Sequence, residues 1–245
     1  MIATFVNVGL VLLGSAIGMA VGGRLPEQLS RTITAGLALC VAVIGVTNAI
    51  KTADLLCVII CLTVGGLIGE TIGIERYMDR AGEALKRLLA RGGGGKGMAR
   101  FTEGFVTATL LFCVGSMAVM GSLEAGINHN YSIIISKGVI DGFTAITFAA
   151  AMGVGVAFSA IPLLLYQGGI TLLAGALAPY LSDAAVVEMS AVGGVMLLGL
   201  AANMLGITKE HIRVGNMLPA LFLPLVYLPL TTYLGQLLHG AVNIM

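Results

Sequence analysis

The sequence contains no tryptophan and few charged residues, and each shortage excludes a class of protein. Charged residues make up 10% of the 245 residues, whereas a soluble domain carries about 25%. With 58% hydrophobic residues and a mean hydropathy of +1.01, the composition indicates a membrane protein. A net charge of +1 is too small to suggest nucleic acid as a partner. Without tryptophan, interfacial anchoring has to rely on tyrosines and charged helix ends.

The motifs of common enzymes and metal sites are also absent from the sequence. His129, His211 and His239 lie in loops or at span ends and form no His-Glu-x-x-His motif. There is no Gly-x-Ser-x-Gly elbow, and the glycine run at 92–97 lacks the ending of a phosphate-binding loop. All four cysteines fall in apolar runs without metal-ligand spacing; they are Cys40, Cys57, Cys61 and Cys113. We therefore expect no enzyme, no metal or cofactor, and no disulfide framework.

Eight stretches are long and apolar enough to cross a bilayer, because a spanning helix needs about 20 mostly apolar residues. The fifth and sixth abut at Ser159–Pro162, where proline favours a turn. The eighth holds three prolines and is predicted to be kinked or broken, or to be two shorter pieces. The first lacks the positive flank of a cleavable signal and is predicted to be retained. The stretches are roughly 2–23, 31–50, 54–73, 102–122, 131–157, 160–180, 186–206 and 213–238.

The basic residues predict how these eight spans are oriented. Alternating loops place eleven lysines and arginines on one side, whereas Lys51 alone lies in a loop on the other and Lys137 lies within a span. This asymmetry is typical of the positive-inside rule. The sequence therefore predicts an all-α, polytopic membrane protein with both termini outside the cytoplasm. We expect a single helical membrane domain over 1–245, with spans one to three in 1–73, spans four and five in 101–158 and the last three in 159–245.

The only sizeable polar connection, at about 74–100, joins the third and fourth spans. Apolar residues recur at helical spacing in its first part, and charged residues fill the opposite face. This pattern predicts a cytoplasmic amphipathic helix at the membrane surface, followed by a flexible glycine linker at 92–95. Two interpretations stay open: a solvated basic linker that only fixes orientation, or a segment that binds regulators or anionic lipids.

Glycines recur at every fourth position in two spans, and two further glycines flank a charged helix face. Such small residues let helices approach closely. The pattern is explained either by packing within the chain or by a homo-oligomer interface. The glycines are Gly14, Gly18 and Gly22 in the first span, Gly65, Gly69 and Gly73 in the third, and Gly138 and Gly142 in the fifth.

A fainter similarity joins spans one and two to spans six and seven. In both copies a glycine-containing span, a polar loop and a span ending in glycine and asparagine follow one another, with Asn48 in the first copy and Asn203 in the second. The copies are five spans apart, so they would be inverted in the membrane. Inverted repeats recur in secondary transporters.

Lys137 and Asp141 are the ionisable residues that the sequence places deepest in a span. They lie four residues apart, on one helix face, and ionisable groups at membrane depth often line a functional site. Glu124 at the outer end of span four is expected to approach Lys137 across the short connection to span five. The interpretation as a proton- or ion-sensitive site competes with a salt bridge that only locks spans four and five together.

Four further polar residues are candidates for a solute pathway. Gln167 falls in span six and Ser116 in span four, where each either bonds between helices or lines a site. A local unwinding at Gly115–Ser116 would free backbone carbonyls to coordinate an ion. Asn203 lies near a helix end, and Asn216 precedes the proline series of the last span.

Three stretches resemble a known family: residues 104–126 (GFVTATLLFCVGSMAVMGSLEAG), 136–142 (SKGVIDG) and 153–168 (GVGVAFSAIPLLLYQG). The C-terminal part at 188–221 fits the same pattern. Together they resemble domain-of-unknown-function family 554, the YqgA/YdfK type of bacterial multi-pass membrane proteins. The resemblance implies an inner-membrane location and a compact helical fold, and it supplies no substrate.

The sequence thus favours a transporter or channel for a small solute or ion, with the bilayer as its surroundings. The site is predicted to be lined by Lys137 and Asp141 together with Glu124, Ser116, Gln167, Asn203 and Asn216. In this hypothesis Asp141 responds to protons or cations, and Lys137 is its counter-charge or an anchor for an anionic substrate. The alternative is a non-catalytic oligomeric scaffold held together by the glycines.

Overall fold

A computed structural model describes residues 1–22, 26–80 and 101–242, with side chains described up to residue 233 and not at residues 27 and 30. The described chain is helical throughout and contains no strand, as the sequence predicts. The first three helices precede a helical turn at 74–80, and the rest follow after residue 100. In order, the helices are α1 Ile2–Gly22, α2 Glu27–Ala49, α3 Leu55–Ile72, α4 Phe101–Cys113, α5 Ser116–Ile127, α6 Ser132–Met152, α7 Gly155–Phe158, α8 Ala160–Leu172, α9 Ala174–Leu177, α10 Asp183–Leu205, a 3₁₀ helix Val214–Phe222, and α11 Pro224–Val242.

Among the described residues, six helical segments are long and apolar enough to cross a membrane, and two bent pairs raise the number to eight if each pair is one span. The pair α4 and α5 bends by 58°, and the 3₁₀ helix with the start of α11 bends by 44°. The second bend confirms the predicted break in the last span. It follows Pro219 inside the 3₁₀ helix and comes directly before Pro224, which has no N–H to continue the helix.

The contact between α1 and α6 indicates that the bent pair α4 and α5 counts as one crossing. Gly138 lies against Asn7, and Gly18 lies against Ile146 and Ala149, so the two helices run parallel. With α1, α2 and α3 crossing in turn, α6 runs parallel to α1 only if the chain crosses once more between α3 and α6. The segment from Phe101 to Ile127 is therefore a broken span rather than a loop that returns to its own side.

The glycines predicted to allow close packing are used inside the chain. Cβ atoms at Gly14, Gly18 and Gly22 would collide with the backbone of α6, and those at Gly65 and Gly69 would collide with the 3₁₀ helix. Gly138 and Gly142 pack closely against α1, where a Cβ would lie 3.1 Å from Asn7 and 3.2 Å from Leu10, respectively. Of the two explanations offered by the sequence, packing within one chain is the one that the structure supports.

Gly73 has a different role from the one that its spacing predicts. It follows α3 with φ of 74°, the left-handed conformation of a helix C-cap, and its N–H donates to the carbonyl of Gly69. The expected packing contact at this position is wrong, because a C-cap glycine is selected by its backbone angles.

The turn between the fifth and sixth spans also lies earlier than predicted. Helix α6 ends at Met152, and Gly153 takes φ of 79° and ψ of −148°, a conformation open almost only to glycine. Pro162 is accommodated instead in the first turn of α8, where the missing N–H has no helical partner to lose. Within the predicted 74–100 connection, residues 74–80 are helical; the remainder, including the glycine linker at 92–95, lies outside the described residues.

Two further helix pairings bring the halves of the chain together. Helices α2 and α10 cross antiparallel where Gly45 meets Gly194, and α3 runs antiparallel to the 3₁₀ helix along Gly65 and Gly69. The first of these pairs joins the second members of the two similar segments noted in the sequence. Their antiparallel directions are those that an inverted repeat requires, and the repeat stays a prediction.

Candidate functional site

Lys137 and Asp141 form a buried ion pair on one face of α6. The Lys137 ammonium donates to Oδ2 of Asp141, and each residue is only 5% exposed. The i, i+4 spacing puts the two groups one turn apart on the same face, as predicted. Asp141 is the tenth residue of the helix, which places it about 14 Å from the start of α6 at 1.5 Å per residue. The pair therefore lies near the middle of the span.

Asn7 of α1 joins this pair to α8. Its Nδ2 donates to Oδ2 of Asp141 at 3.1 Å and to Oε1 of Gln167 at 3.0 Å, and both amide residues are fully buried. Gly138 of α6 makes this possible, since the backbone of Asn7 lies where a Cβ on Gly138 would be crowded, at 3.1 Å. Three helices, α1, α6 and α8, thus converge on one polar cluster, which we call the central cluster: Asn7, Lys137, Asp141 and Gln167.

The central cluster has hydrogen-bonding capacity left over. Among the described residues, Oδ1 of Asn7 and Nε2 of Gln167 are buried and have no partner. The ammonium of Lys137 carries three N–H donors, and one of them is used by Asp141. Buried polar groups are normally paired, so this site offers both a donor and an acceptor to a small polar guest or to water.

Two buried hydroxyls extend the cluster toward the end of the bundle where α1 and α6 begin. Thr4 precedes Asn7 by three residues and Thr171 follows Gln167 by four, so each lies one turn nearer that end on the same helix face. Both hydroxyls are buried without a hydrogen-bond partner in the described structure. They place two further unpartnered polar groups on the side of the cluster that faces that end.

The broken span supplies the apolar wall of the cluster. The Lys137 ammonium lies 5.9 Å from the centroid of the Phe112 ring, in the last turn of α4. An aromatic face attracts a cation at this distance. The charge of Lys137 is therefore balanced by Asp141 on its own helix and by an aromatic ring on another.

Glu124 does not join the central cluster. Its carboxylate accepts from the side chain of Asn128 at 3.1 Å, and it forms no ion pair with Lys137, although both residues lie in the described region. The expected approach is wrong because Glu124 stays on the last turn of α5 and holds the following turn, where its carbonyl accepts from the N–H groups of Asn128 and Asn130. The predicted cluster of two carboxylates and one ammonium is replaced by one carboxylate, one ammonium and two amides.

Ser116 lies at the start of α5, directly after Gly115. It is exposed in the isolated chain, and no hydrogen bond joins its side chain to the central cluster within the described residues. The local unwinding expected at Gly115–Ser116 is present, because α4 ends at Cys113 and α5 begins at Ser116.

Asn216 belongs to a second polar group at the other end of the bundle. Its side chain donates to Oε2 of Glu70 and accepts from the N–H of Glu75 at 2.8 Å. Arg213 pairs with Glu70 at 2.6 Å, and His211 approaches Glu75 at 3.3 Å. Burial raises the pKa of the Glu75 carboxyl above its usual value of 4.5, and the nearby His211 opposes that rise.

Asn203 holds the loop that precedes the 3₁₀ helix. Its side chain donates to the carbonyl of Ile212 at 2.8 Å and accepts from the N–H of the same residue at 3.0 Å. These two bonds close the loop at 206–212. The structure therefore places Asn203 and Asn216 away from the central cluster and assigns both to the packing of the last span.

Asn7 is the cluster residue that the sequence interpretation missed. The signal was present, since Asn7, Val11, Gly14 and Gly18 share one helix face and all four are buried. A polar amide on the face that carries the glycines marks that face for a polar contact. The sequence does not show which polar residue it meets, because that depends on how the helices pack.

Comparisons with known proteins agree on one family. The profile described as "Protein of unknown function (DUF554)" matches residues 2–228. The chain is 32% identical over 222 residues to "Uncharacterized protein YqgA" of Escherichia coli (strain K12), covering 91% of this chain and 94% of the relative. It is 30% identical over 231 residues to "Uncharacterized membrane protein YdfK" of Bacillus subtilis (strain 168), with coverages of 91% and 94%. No solved structure matches.

Proposed function

Because the chain belongs to the DUF554 family of proteins of unknown function, its activity has to be inferred from its own site, and we propose that it is a non-catalytic transporter or channel for a small polar solute or ion. The central cluster is the working site in this proposal. The observation that carries it is the buried Lys137–Asp141 pair with unpartnered amide atoms beside it.

The energetics of the central cluster support a functional role. Burying two charges costs several kcal/mol per ion, and a well-packed apolar pair is often as stable or more stable. A membrane interior raises that cost and offers no water to compensate. Helices can be held together at a lower cost in free energy by apolar contacts, such as the glycine contacts between α1 and α6.

The chemistry of the cluster fits a small polar guest. The ion pair is neutral overall, so it selects neither sign of charge by itself. A guest that separates the pair would find a carboxylate at Asp141, an ammonium at Lys137, and free amide groups on Asn7 and Gln167. In this proposal Asp141 responds to protons or cations, and Lys137 is its counter-charge or the anchor of an anionic substrate.

The membrane setting completes the proposal. The relative YdfK is named as a membrane protein, and the spans of this chain alternate in direction as an eight-span protein requires. We propose that it lies in the inner (plasma) membrane with both termini outside, because the positive-inside rule assigns the basic loops to the cytoplasm. The ends where α1 and α6 begin would then face outward, so Thr4 and Thr171 would lie on the outer approach to the cluster.

The oligomeric scaffold is the weaker candidate. It depended on glycine faces that were free to meet a second copy, and those faces are occupied by α6 and by the 3₁₀ helix of the same chain. A homo-oligomer would need another surface.

The test is flux through purified protein in liposomes. We would follow three probes: protons with trapped pyranine, and KCl and glycine by light scattering of osmotically shrunken vesicles. At least one probe is expected to cross faster than in empty vesicles, and Asp141→Asn is expected to remove most of that rate. Asp183→Asn, an exposed carboxylate at the start of α10, is the matched control and is expected to keep the rate. If no probe crosses faster than in empty vesicles, or if Asp141→Asn keeps the full rate, the proposal is wrong.

A further inference from the structure

The break in the fourth span lies at the middle of that span. Thirteen residues of α4 precede it and twelve residues of α5 follow it, with a bend of 58° between them. Gly115 at the break takes φ of 112° and ψ of 149°, a conformation that only glycine adopts readily. The bend therefore depends on the glycine at this position and is not a product of loose packing.

The break leaves backbone groups without helical partners. Val114 still donates to the carbonyl of Leu110, and the next backbone bond is from Ala118 to the carbonyl of Gly115 at 3.2 Å. Between them, the N–H groups of 115–117 and the carbonyl oxygens of 111–113 have no backbone partner in the described part of the chain. Side chains of the described residues do not replace those partners.

The surroundings of the break are open. A Cβ atom on Gly115 would meet nothing within 4 Å, and Ser116 and Met117 are both exposed in the isolated chain. Unpaired backbone at this depth is tolerated only where it is buried in protein or lines water, because hydrocarbon cannot hydrogen-bond to it. Phe112, Cys113 and Val114 before the break are buried, whereas Ser116 and Met117 after it are not covered by the described protein.

The bend in the last span shows the contrast. Pro224 at that bend has no N–H, and Leu223 donates to the carbonyl of Ala220 and accepts from Val226 and Tyr227. That bend therefore loses little hydrogen bonding. The break at Gly115 is the one whose donors and acceptors still need a partner.

We infer that water, with the small hydrated ions that it carries, occupies the space beside Gly115 and Ser116 and forms a vestibule in the middle of the bilayer. Phe112, whose ring faces the Lys137 ammonium, precedes Ser116 by four residues across the break. The residue that contacts the central cluster therefore lies on the same broken span, just before the vestibule. The inference does not depend on transport, since water at the break is required by the backbone whether or not a solute crosses.

The test is chemical labelling of a single cysteine at the break. In a variant whose four native cysteines are replaced by alanine, Ser116→Cys is treated in proteoliposomes with a charged, membrane-impermeant methanethiosulfonate, added outside or trapped inside. The thiol is expected to react with the reagent on at least one side of the membrane. A thiol in water ionises and reacts, whereas a thiol in hydrocarbon does not.

The matched control is Phe143→Cys in α6, which is 70% exposed in the isolated chain but lies on an unbroken helix. It is expected to resist the charged reagent while both variants keep the unfolding temperature of the cysteine-free parent. If Ser116→Cys resists the reagent from both sides, or reacts no faster than Phe143→Cys, the vestibule is disproved. Flux that fails while labelling succeeds would disprove the proposed function alone.

Discussion

The side-chain amide of Asn7 connects the charged pair of the fifth span to two other helices. Asn7 donates to both Asp141 and Gln167, so it links three helices that the sequence alone does not bring together. The sequence could place Lys137 and Asp141 on one face, because that follows from helical spacing. It could not identify the third partner, since contacts between α1, α6 and α8 depend on the tertiary packing of more than 130 intervening residues.

Single and double substitutions of the central ion pair should distinguish its contribution to stability from its contribution to flux. Lys137→Met or Asp141→Asn alone is expected to destabilise the protein by about 3–5 kcal/mol, because each leaves one buried charge or polar group uncompensated. The double variant is expected to regain most of that loss but to carry no flux. The measurements are thermal unfolding in one detergent and flux in liposomes. A double variant with full flux would make the pair a structural clamp and nothing more.

The Glu75 carboxyl should make stability fall as pH rises above its usual pKa of 4.5. Burial raises the folded-state pKa, so the folded protein holds this proton more tightly than the unfolded chain, and the stabilisation present at low pH is lost as pH rises through the folded pKa. Asp79 adds to the rise, whereas His211 and Arg213 oppose it, and Glu70 lies across Asn216.

Glu75→Gln is expected to remove that dependence as the pH rises above the usual value of 4.5. Unfolding temperatures of the wild type and the variant, measured as the pH is raised, give the comparison, with the exposed Glu210→Gln in the loop before the 3₁₀ helix as the control. Identical pH profiles for wild type and Glu75→Gln, or a wild type that gains stability with pH relative to the variant, would contradict the assignment.

At the scale of helices, spacing and glycine predicted most of the architecture. The span limits, the kinked end and the unwinding at Gly115–Ser116 follow from apolar length, proline and glycine. The turn at Gly153 was missed because the chain contains 35 glycines, and only the folded backbone shows which of them adopt angles closed to other residues. Gly73 was misread for the same reason, since a cap and a packing contact need the same residue type.

The packing of α1 against α6 should depend on one face of α1 only. Gly18→Leu is expected to destabilise the protein by more than about 3 kcal/mol, because even a Cβ would collide with the backbone of Ile146 and lie 3.0 Å from the nitrogen of Ala150. Gly9→Leu on the same helix is the control, since nothing lies within 4 Å of its Cβ position. Thermal unfolding of the two variants gives the comparison. Equal losses at Gly18 and Gly9 would contradict a specific role for the α6 contact, since leucine favours a helix more than glycine does at both positions.

At the scale of the whole molecule, the number of crossings determines which loops share a side. Eight crossings put the loop at Lys51 and the loop at Lys209 on opposite faces of the membrane. Both residues are exposed, so cysteines placed there in the cysteine-free parent are suitable for impermeant labelling of intact cells. Lys51→Cys is expected to react and Lys209→Cys to react only after the cells are opened. Labelling of both in intact cells would contradict the crossing count.

The pairing of early helices with late ones has a consequence for how the protein is made. The faces of α1, α2 and α3 that carry Gly18, Gly45 and Gly69 are covered by segments that begin at residues 132, 183 and 214. During synthesis the first three helices therefore reach the membrane long before their partners leave the ribosome. The Asn7 amide and three grooves have to be shielded in the meantime by lipid, by water or by the insertion machinery. Assembly of this protein is consequently a late event, completed only when the last third of the chain has been delivered.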